Sequence, residues 1–392
     1  MDSLGGGRMK VLVLGGTGLM GRRAVMELAP EAAVERVTIA GRNEAAGRQV
    51  REQAAAAQRA AGLADGQGAE LPLATVDLAD REAVRRLMAD HDIILNAAGP
   101  AYLLEEPLVR AALAVGRSYV SLCDDADAVA KVLPLDEEAR AAGITVLTGM
   151  GWTPGLTNLA ARHAVDHLDE VDAIHIAWVG SSAGGVGKAV VFHVLHTFSG
   201  QAVIVRDGQP VPIPAGSEPE RITFPDPVGP VTVRHVSHPE TVTIPRYIPG
   251  VGTVTVKGGL PEPVLNWLAV VIGRSGLAGT HRRRDLLWPV LKYSVPLLQP
   301  IGAPPGDMSG YTVVVTGRKD GRPVTIRATS MATMADLTSV PAAVAVLWIG
   351  REKITRRGVF APEAPGGPDP AAFLAEMARR GVTTHWEGLP EA

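Results

Sequence analysis

Short apolar runs of strand length alternate with amphipathic stretches through the first third of the chain. Lys10–Leu14 is the first run, and the amphipathic stretch Arg22–Ala29 follows it and stops at Pro30. The same rhythm predicts strands at Val34–Ala40, Leu71–Val76, Ile93–Ala97, Ser118–Leu122 and Ile144–Thr148. Between them it predicts helices at Glu44–Ala61, Arg81–Ala89, Pro107–Val115 and Pro134–Ala142, with Asp80 as an N-cap and Gly116 as a stop. Regular alternation with short connections implies a parallel, doubly wound sheet.

The rhythm changes after Gly155. Val171–Val179 reads as a strand, and Ala189–Phe198 reads as a helix behind the glycine loop Ser181–Lys188. Strand-type runs then follow without helices between them: Val203–Val205, Val211–Ile213, Val231–Val236, Thr241–Ile244, Thr253–Lys257, Tyr311–Thr316 and Val324–Ala328. Asp207-Gly208 is a hairpin signal. These runs predict a mostly antiparallel second sheet. Leu265–Ile272 and Leu286–Leu298 read as buried or partner-facing helices. Met331–Gly350 is a long apolar helix placed to pack back on the first domain, and Met331 and Asp336 read as residues of its core-facing length. A short helix is expected at Pro370–Arg380.

The turn after the first strand carries the chemistry. Gly16, Gly18 and Gly21 form G-x-G-x-x-G, with Gly15 in front. Strand, glycine turn and helix in that order make a dinucleotide-phosphate corner: the glycines let the backbone approach a pyrophosphate, and the helix N-terminus holds its charge. Gly15, Gly16, Thr17, Gly18, Leu19, Met20 and Gly21 are therefore the expected phosphate cradle. At the end of the second strand, where an Asp or Glu would favour NAD, the chain has Ala40-Gly41-Arg42-Asn43. Arg42 suits a 2′-phosphate, so NADP is the expected cofactor, with Asn43 beside it. Asp77 and Leu78 end the third strand; Asp77 is either an adenine-amino acceptor or a turn-forming residue. Ala97, Gly99 and Pro100 end the fourth strand, where small residues let the backbone pass close to the nicotinamide ribose.

The fold class is thus α/β, a Rossmann doubly wound parallel sheet with a second mixed α+β domain. The expected boundaries are 9–155 for the dinucleotide-binding domain, completed by 330–360, then 156–329 for the second domain and 361–392 for a tail.

Composition narrows the partners. The chain has 392 residues, 46% apolar and 20% charged, with net charge −3, enough for two domains of ~100–200 residues each. Arg282–Arg284 is the only basic block, so nucleic acid is not an expected partner. The single cysteine, Cys123, excludes internal disulfides, reads as packing, and points to a reducing, cytoplasmic setting. No signal peptide is read. No apolar stretch reaches the ~18 residues of a membrane span, although Leu260–Ile301 comes closest before charges and prolines break it. A membrane partner is not expected.

Acid–base candidates cluster at two places. Asp124 and Asp125 follow the fifth strand, at the functional edge of the sheet; one can bind a substrate ammonium or relay a proton, or either can cap the next helix. His193 and His196 share one helix face behind Lys188, and each is either an acid or a structural histidine. His163 and His167 lack the Glu of H-E-x-x-H, and no metal site is expected.

These residues resemble the saccharopine dehydrogenase-like reductase family. The likeness runs through Gly15–Gly21, Ala40–Asn43, Val76–Leu78, Asn96–Pro100, Glu106–Gly116, Ala139–Val146 and Gly358–Glu363. Its most specific part is Gly151-Trp152-Thr153-Pro154-Gly155-Leu156-Thr157-Asn158 after the A-G-I-x-V strand. The resemblance implies a nicotinamide-dependent enzyme, often a homodimer, with a Rossmann domain built from both chain ends. It further implies a small-molecule substrate with a carbon–nitrogen bond, an amino acid or amine, acted on by imine reduction or amine oxidation. Two alternatives stay open: an enoyl reductase on an acyl chain, and a non-catalytic NADP-binding scaffold or sensor. The chain departs from the family at Thr153, where many amine-acting members carry Asp before Pro-Gly.

Overall fold

The computed structural model describes residues 8–64, 66–185 and 187–390. Residues 1–7 lie outside them, as does Val186 of the glycine loop. The described chain separates into two compact units. The first comprises 1–123, 127–151 and 338–368; the second comprises 124–126, 152–337 and 369–392.

The first unit starts with β1 (Met9–Leu14), α1 (Leu19–Leu28), β2 (Val34–Gly41), α2 (Glu44–Ala60), β3 (Leu73–Thr75), α3 (Arg81–Ala89) and β4 (Ile93–Asn96). It continues with α4 (Ala101–Val115), β5 (Ser118–Ser121), α5 (Ala126–Val132), α6 (Asp136–Ala141) and β6 (Thr145–Leu147). The side chains of Asn43 and Asp80 cap α2 and α3 by accepting from Ala46 N and Ala83 N at 3.1 and 3.0 Å. α4 begins at Ala101, six residues before the expected start, and Pro107 sits inside it. The proline that was read as a first-turn signal occupies a helix interior instead. The single helix expected over Pro134–Ala142 is broken: α5 precedes it, a 3₁₀ turn at Leu133–Leu135 takes up Pro134, and only α6 follows.

The second unit contains α7 (Leu156–Val165), β7 (Glu170–Val179), α8 (Lys188–Thr197), β8 (Gln201–Arg206), β9 (Gln209–Pro214), β10 (Glu220–Thr223) and β11 (Pro230–His235). Next come α9 (Glu240–Tyr247), β12 (Thr253–Gly259), α10 (Pro263–Arg274), α11 (His281–Leu298), β13 (Ser309–Lys319) and β14 (Arg322–Ala332). α12 (Met334–Gly350) then leads to β15 (Gly358–Phe360) of the first unit, before α13 (Pro370–Arg379) and β16 (His385–Glu387) of the second.

The first sheet has seven strands in the order β15-β6-β5-β4-β1-β2-β3, all parallel. The order reverses at β1, which puts the glycine turn at the switch point where such sheets bind ligands. β15 was not expected: three residues are too short for a periodic signal, and pairing with β6 makes the strand. Ser339 of α12 donates to Met20 O of α1 at 2.8 Å, so the late helix is tied to the first one. Leu12, Leu14, Ile94, Val109, Tyr119, Val146 and Val359 fill one side of its core.

The second sheet has nine strands. Its main path is β10-β11-β12-β7-β13-β14-β16, with the β8–β9 hairpin attached through β12. Only β7 and β12 pair in parallel. Asp207 (φ 50°) and Gly208 (φ 72°) form the expected tight turn between β8 and β9. Two expectations fail here. Met331 belongs to β14, not to the late helix. Thr241–Ile244 is part of α9, because Pro239 sets a helical φ of −59° at its start and the buried Glu240, Thr241, Thr243 and Ile244 share contacts that override a β-branched preference.

A buried carboxylate ties the ends of the parallel strands together. Glu105, on α4, accepts from Ser121 Oγ at 2.6 Å, Thr148 Oγ1 at 2.8 Å, Tyr119 OH at 2.9 Å and Asn96 Nδ2 at 3.4 Å. Burial raises its pKa, and the four donors oppose that rise. Glu105→Ala leaves those buried donors without their acceptor, so it is expected to destabilise the first unit by about 3 kcal/mol. Chemical denaturation monitored by circular dichroism checks this, and an unchanged midpoint would refute it.

Candidate functional site

The first unit holds a cradle of the shape a dinucleotide requires. Gly18 is the N-cap of α1, so the helix N-terminus opens directly onto the glycine turn. Gly15 has φ 75°, and a Cβ there would lie 2.8 Å from Ala98 N. A Cβ on Gly21 would collide with Gly15 O, so bare backbone alone permits this approach of helix to strand. Thr17 lies over Gly41, and Ala97 N donates to Leu14 O at 2.9 Å, which fixes the fourth-strand loop beside the first.

Arg42 is exposed at the end of β2 and, among the described residues, has no hydrogen-bonding or ion-pair partner. An exposed guanidinium that no described residue engages is open to an anion. Asn43 spends its side chain on the α2 cap, and Asp77 accepts from Ala79 N at 3.0 Å in a local turn. Leu78, Leu19 and Met20 flank these turns, and Gly99 and Pro100 lead into α4.

The second unit holds a chain of acids and imidazoles. Asp125, almost wholly buried, accepts from His193 Nδ1 at 2.8 Å. Asp124, partly exposed, lies 3.3 Å from the same nitrogen. The His193 and His238 rings meet edge to face at 5.6 Å, and His238 Nδ1 lies 2.7 Å from Glu240 Oε2. Glu240, fully buried, accepts at its other oxygen from Thr153 Oγ1 at 2.7 Å and Thr157 Oγ1 at 2.9 Å. Trp178 covers His238 at 5.9 Å, and Trp152 packs against Trp178 at 6.0 Å.

The protonation states follow from this enclosure. Burial opposes charge on His193, but Asp124, Asp125 and Glu240 outweigh it and raise its pKa to about 9. Burial raises Asp124, with His193 pulling against that shift. Burial also works to raise Glu240, but His238 and the Thr153 hydroxyl win and its pKa is lowered. At neutral pH His193 therefore holds a proton that Asp125 shares. The ligand atoms of Asp124, Asp125 and His193 lie within 4.8 Å of one another, a spacing that suits a metal ion. A cation there would have to displace that proton first.

The other candidates serve different contacts. His196 Nδ1 meets Arg284 Nη2 at 2.8 Å, and Lys188 Nζ pairs with Asp285 at 2.6 Å, so both tie α8 to α11. Cys123 is buried. His238, Glu240, Trp178 and Glu105 did not emerge from the sequence. The pair His238-Pro239-Glu240 is a usable signal, but the T-V-T-I that follows was read as strand.

Comparison with known proteins agrees with the cradle. The sequence model of the saccharopine dehydrogenase NADP-binding domain matches residues 11–147, and the chain is similar to that family. It is an NAD(P)-dependent oxidoreductase. Carboxynorspermidine synthase of Vibrio alginolyticus is 26% identical over 330 residues, 76% of this chain and 78% of that protein. Saccharopine dehydrogenase (L-Glu forming) from Saccharomyces cerevisiae has the same fold, with a TM-score of 0.65, 16% identity, and coverage of 97% of this chain and 99% of that one. No helix among the described residues is long and apolar enough to cross a membrane.

The raised pKa of His193 sets a pH dependence. Stability contributed by its charged form is complete below the ordinary value of 6.5 and is lost as pH rises through about 9. The melting temperature of the wild type is expected to fall across that interval, and that of His193→Gln to be lower but flatter. Thermal melts at a series of pH values decide it; parallel curves for the two proteins would rule it out.

Proposed function

We propose that this enzyme uses NADPH to reduce an imine, or in reverse NADP+ to oxidise an amine, on an amino acid or amine substrate. The observation that supports this most is the protonated His193 held between Asp124 and Asp125. Imine reduction adds a hydride to carbon and leaves the nitrogen needing a proton and a cationic environment. The bound nicotinamide supplies the hydride. Asp124, the partly exposed carboxylate of the pair, attracts a substrate iminium or ammonium. Asp125 accepts the Nδ1 proton of His193 and so orients the ring, and the proton on the other ring nitrogen, Nε2, is the one delivered to the substrate nitrogen. His238, held by Glu240, packs its ring edge to face against His193 and helps fix that ring's orientation.

The departure at Thr153 fits the same reading. The hydroxyl that stands where many amine-acting relatives carry a carboxylate donates to Glu240. The negative charge is therefore supplied from α9 instead of from the Pro-Gly turn. Asp124 also stands three residues beyond the last residue of β5 in the sequence.

For the cofactor, we read Arg42 as the 2′-phosphate contact, with the turn Gly15–Gly21 under the pyrophosphate. Asp77 and Leu78 would lie at adenine, and Ala97, Gly99 and Pro100 at the nicotinamide side. Arg42→Ala is expected to weaken NADPH binding about tenfold and to leave NADH binding unchanged, as measured by calorimetry. Equal losses for both nucleotides would remove the phosphate contact.

The chemical step is tested separately. Asp125→Asn should lower the descending limb of the kcat pH profile from near 9 toward 6.5 while the NADPH dissociation constant stays the same. The assay is NADPH oxidation with mixtures of amino acids and keto acids, followed by mass spectrometry of the reductive product. Turnover on enoyl thioesters, with none on any carbonyl–amine mixture, would overturn the reading.

A further inference from the structure

α10 and α11 pack on α8 with one face and leave an apolar face uncovered on the other. Leu286, Val290, Tyr293 and Leu297 recur at intervals of four, three and four along α11, which puts them on one stripe. They are 74%, 66%, 72% and 75% exposed. Trp267 and Val271 form the matching stripe of α10, and Leu277 and Ile301 extend the face at either end. Solvent does not ordinarily meet so many large apolar side chains along adjoining helices. The sequence had suggested buried or partner-facing helices here, and the uncovered stripe leaves only the second half of that description.

Charge identifies the partner. Residues 263–301 carry five Lys and Arg against one acidic residue, Asp285, in a chain whose net charge is −3. Asp285 is engaged by Lys188 and His281, at 2.6 and 3.1 Å. Arg284 is buried and bonded to Ala278 O at 2.8 Å. That leaves Arg274, Arg282, Arg283 and Lys292 exposed at the margins of the apolar stripe. Arg282 lies one turn before Leu286, Arg274 follows Val271 by three residues, and Lys292 Nζ lies 5.5 Å from the ring of Tyr293. A second copy of this face would bring cation against cation around a symmetric contact. Anionic lipid headgroups instead neutralise the rim while Trp267, Tyr293 and the aliphatic side chains enter the headgroup–acyl boundary.

We propose that α10 and α11 form a docking face for an anionic lipid bilayer, on which the enzyme lies without crossing it. The full-length wild-type protein is expected to co-sediment with vesicles of phosphatidylcholine and phosphatidylglycerol and to stay in solution with phosphatidylcholine alone. Tryptophan emission should shift to the blue on the anionic vesicles, and Trp267→Phe should remove that shift. Leu286→Asp with Val290→Asp should lower the partition coefficient at least tenfold. Arg282→Glu with Arg283→Glu should lower it about tenfold and remove most of its salt dependence. Leu286 and Val290 are solvent-facing, so circular dichroism melts of that pair should match the wild type; Arg283 Nη1 donates to Gly276 O at 2.8 Å, so the melt of the arginine pair is recorded before its binding is compared.

Failure of the unmodified protein to bind anionic vesicles would overturn the proposal, as would equal binding to neutral ones. A lipid-free dimer in sedimentation velocity that Leu286→Asp with Val290→Asp splits into monomers would overturn it too, because the face would then be occupied by a second copy.

Discussion

The second unit is organised by one buried imidazolium. His193 lies among Asp124, Asp125 and Glu240, and a cation in that position can be buried only because those carboxylates surround it. Each partner is delivered by a different piece of chain: the segment after β5, the middle of α8, and the start of α9. The ion pair therefore demands that three distant segments converge, and the fold between them follows. Removing one of the buried carboxylates, Asp125 or Glu240, would leave part of that charge uncompensated, at a cost of about 3–5 kcal/mol. A site built this way is stiff, and stiffness is what a proton donor needs to keep its geometry through turnover.

The parallel sheet was legible because its signals are local. A glycine that needs φ 75°, an apolar run ahead of it and a helix behind it are neighbours in sequence. The place of Arg42, directly after β2, was legible for the same reason, since the rhythm fixes where that strand ends. β15 and β16 were not, because three residues become a strand only when a distant partner pairs with them. The α9 segment misled because Thr-Val-Thr-Ile alternates as a strand does. What decides it is Glu240, whose carboxylate is claimed by His238, Thr153 and Thr157. Those partners are up to 87 residues away, beyond any window of periodicity.

The acid–base residues were half legible for a related reason. Asp124, Asp125 and His193 were singled out, and the structure brings them within bonding distance across 68 residues. His196 and Lys188 were singled out by the same proximity on one helix, yet they face α11. Helical spacing says that two side chains share a side; it does not say what that side meets. His196 is one turn from His193, and a rotation of that size is enough to turn an imidazole from a carboxylate pair to a guanidinium.

α8 consequently carries two kinds of contact. His193 meets the carboxylates, while Lys188 near the start and His196 near the end meet Asp285 and Arg284 on α11. Two polar attachments about two turns apart fix both the height and the rotation of a ten-residue helix, which a purely apolar contact would leave free to slide. The rotation that places His193 Nδ1 at 2.8 Å from Asp125 is thus set from α11 as well as by the ion pair itself. α11 therefore carries two faces: its inner one fixes α8 through Arg284 and Asp285, and its outer one bears the exposed leucines.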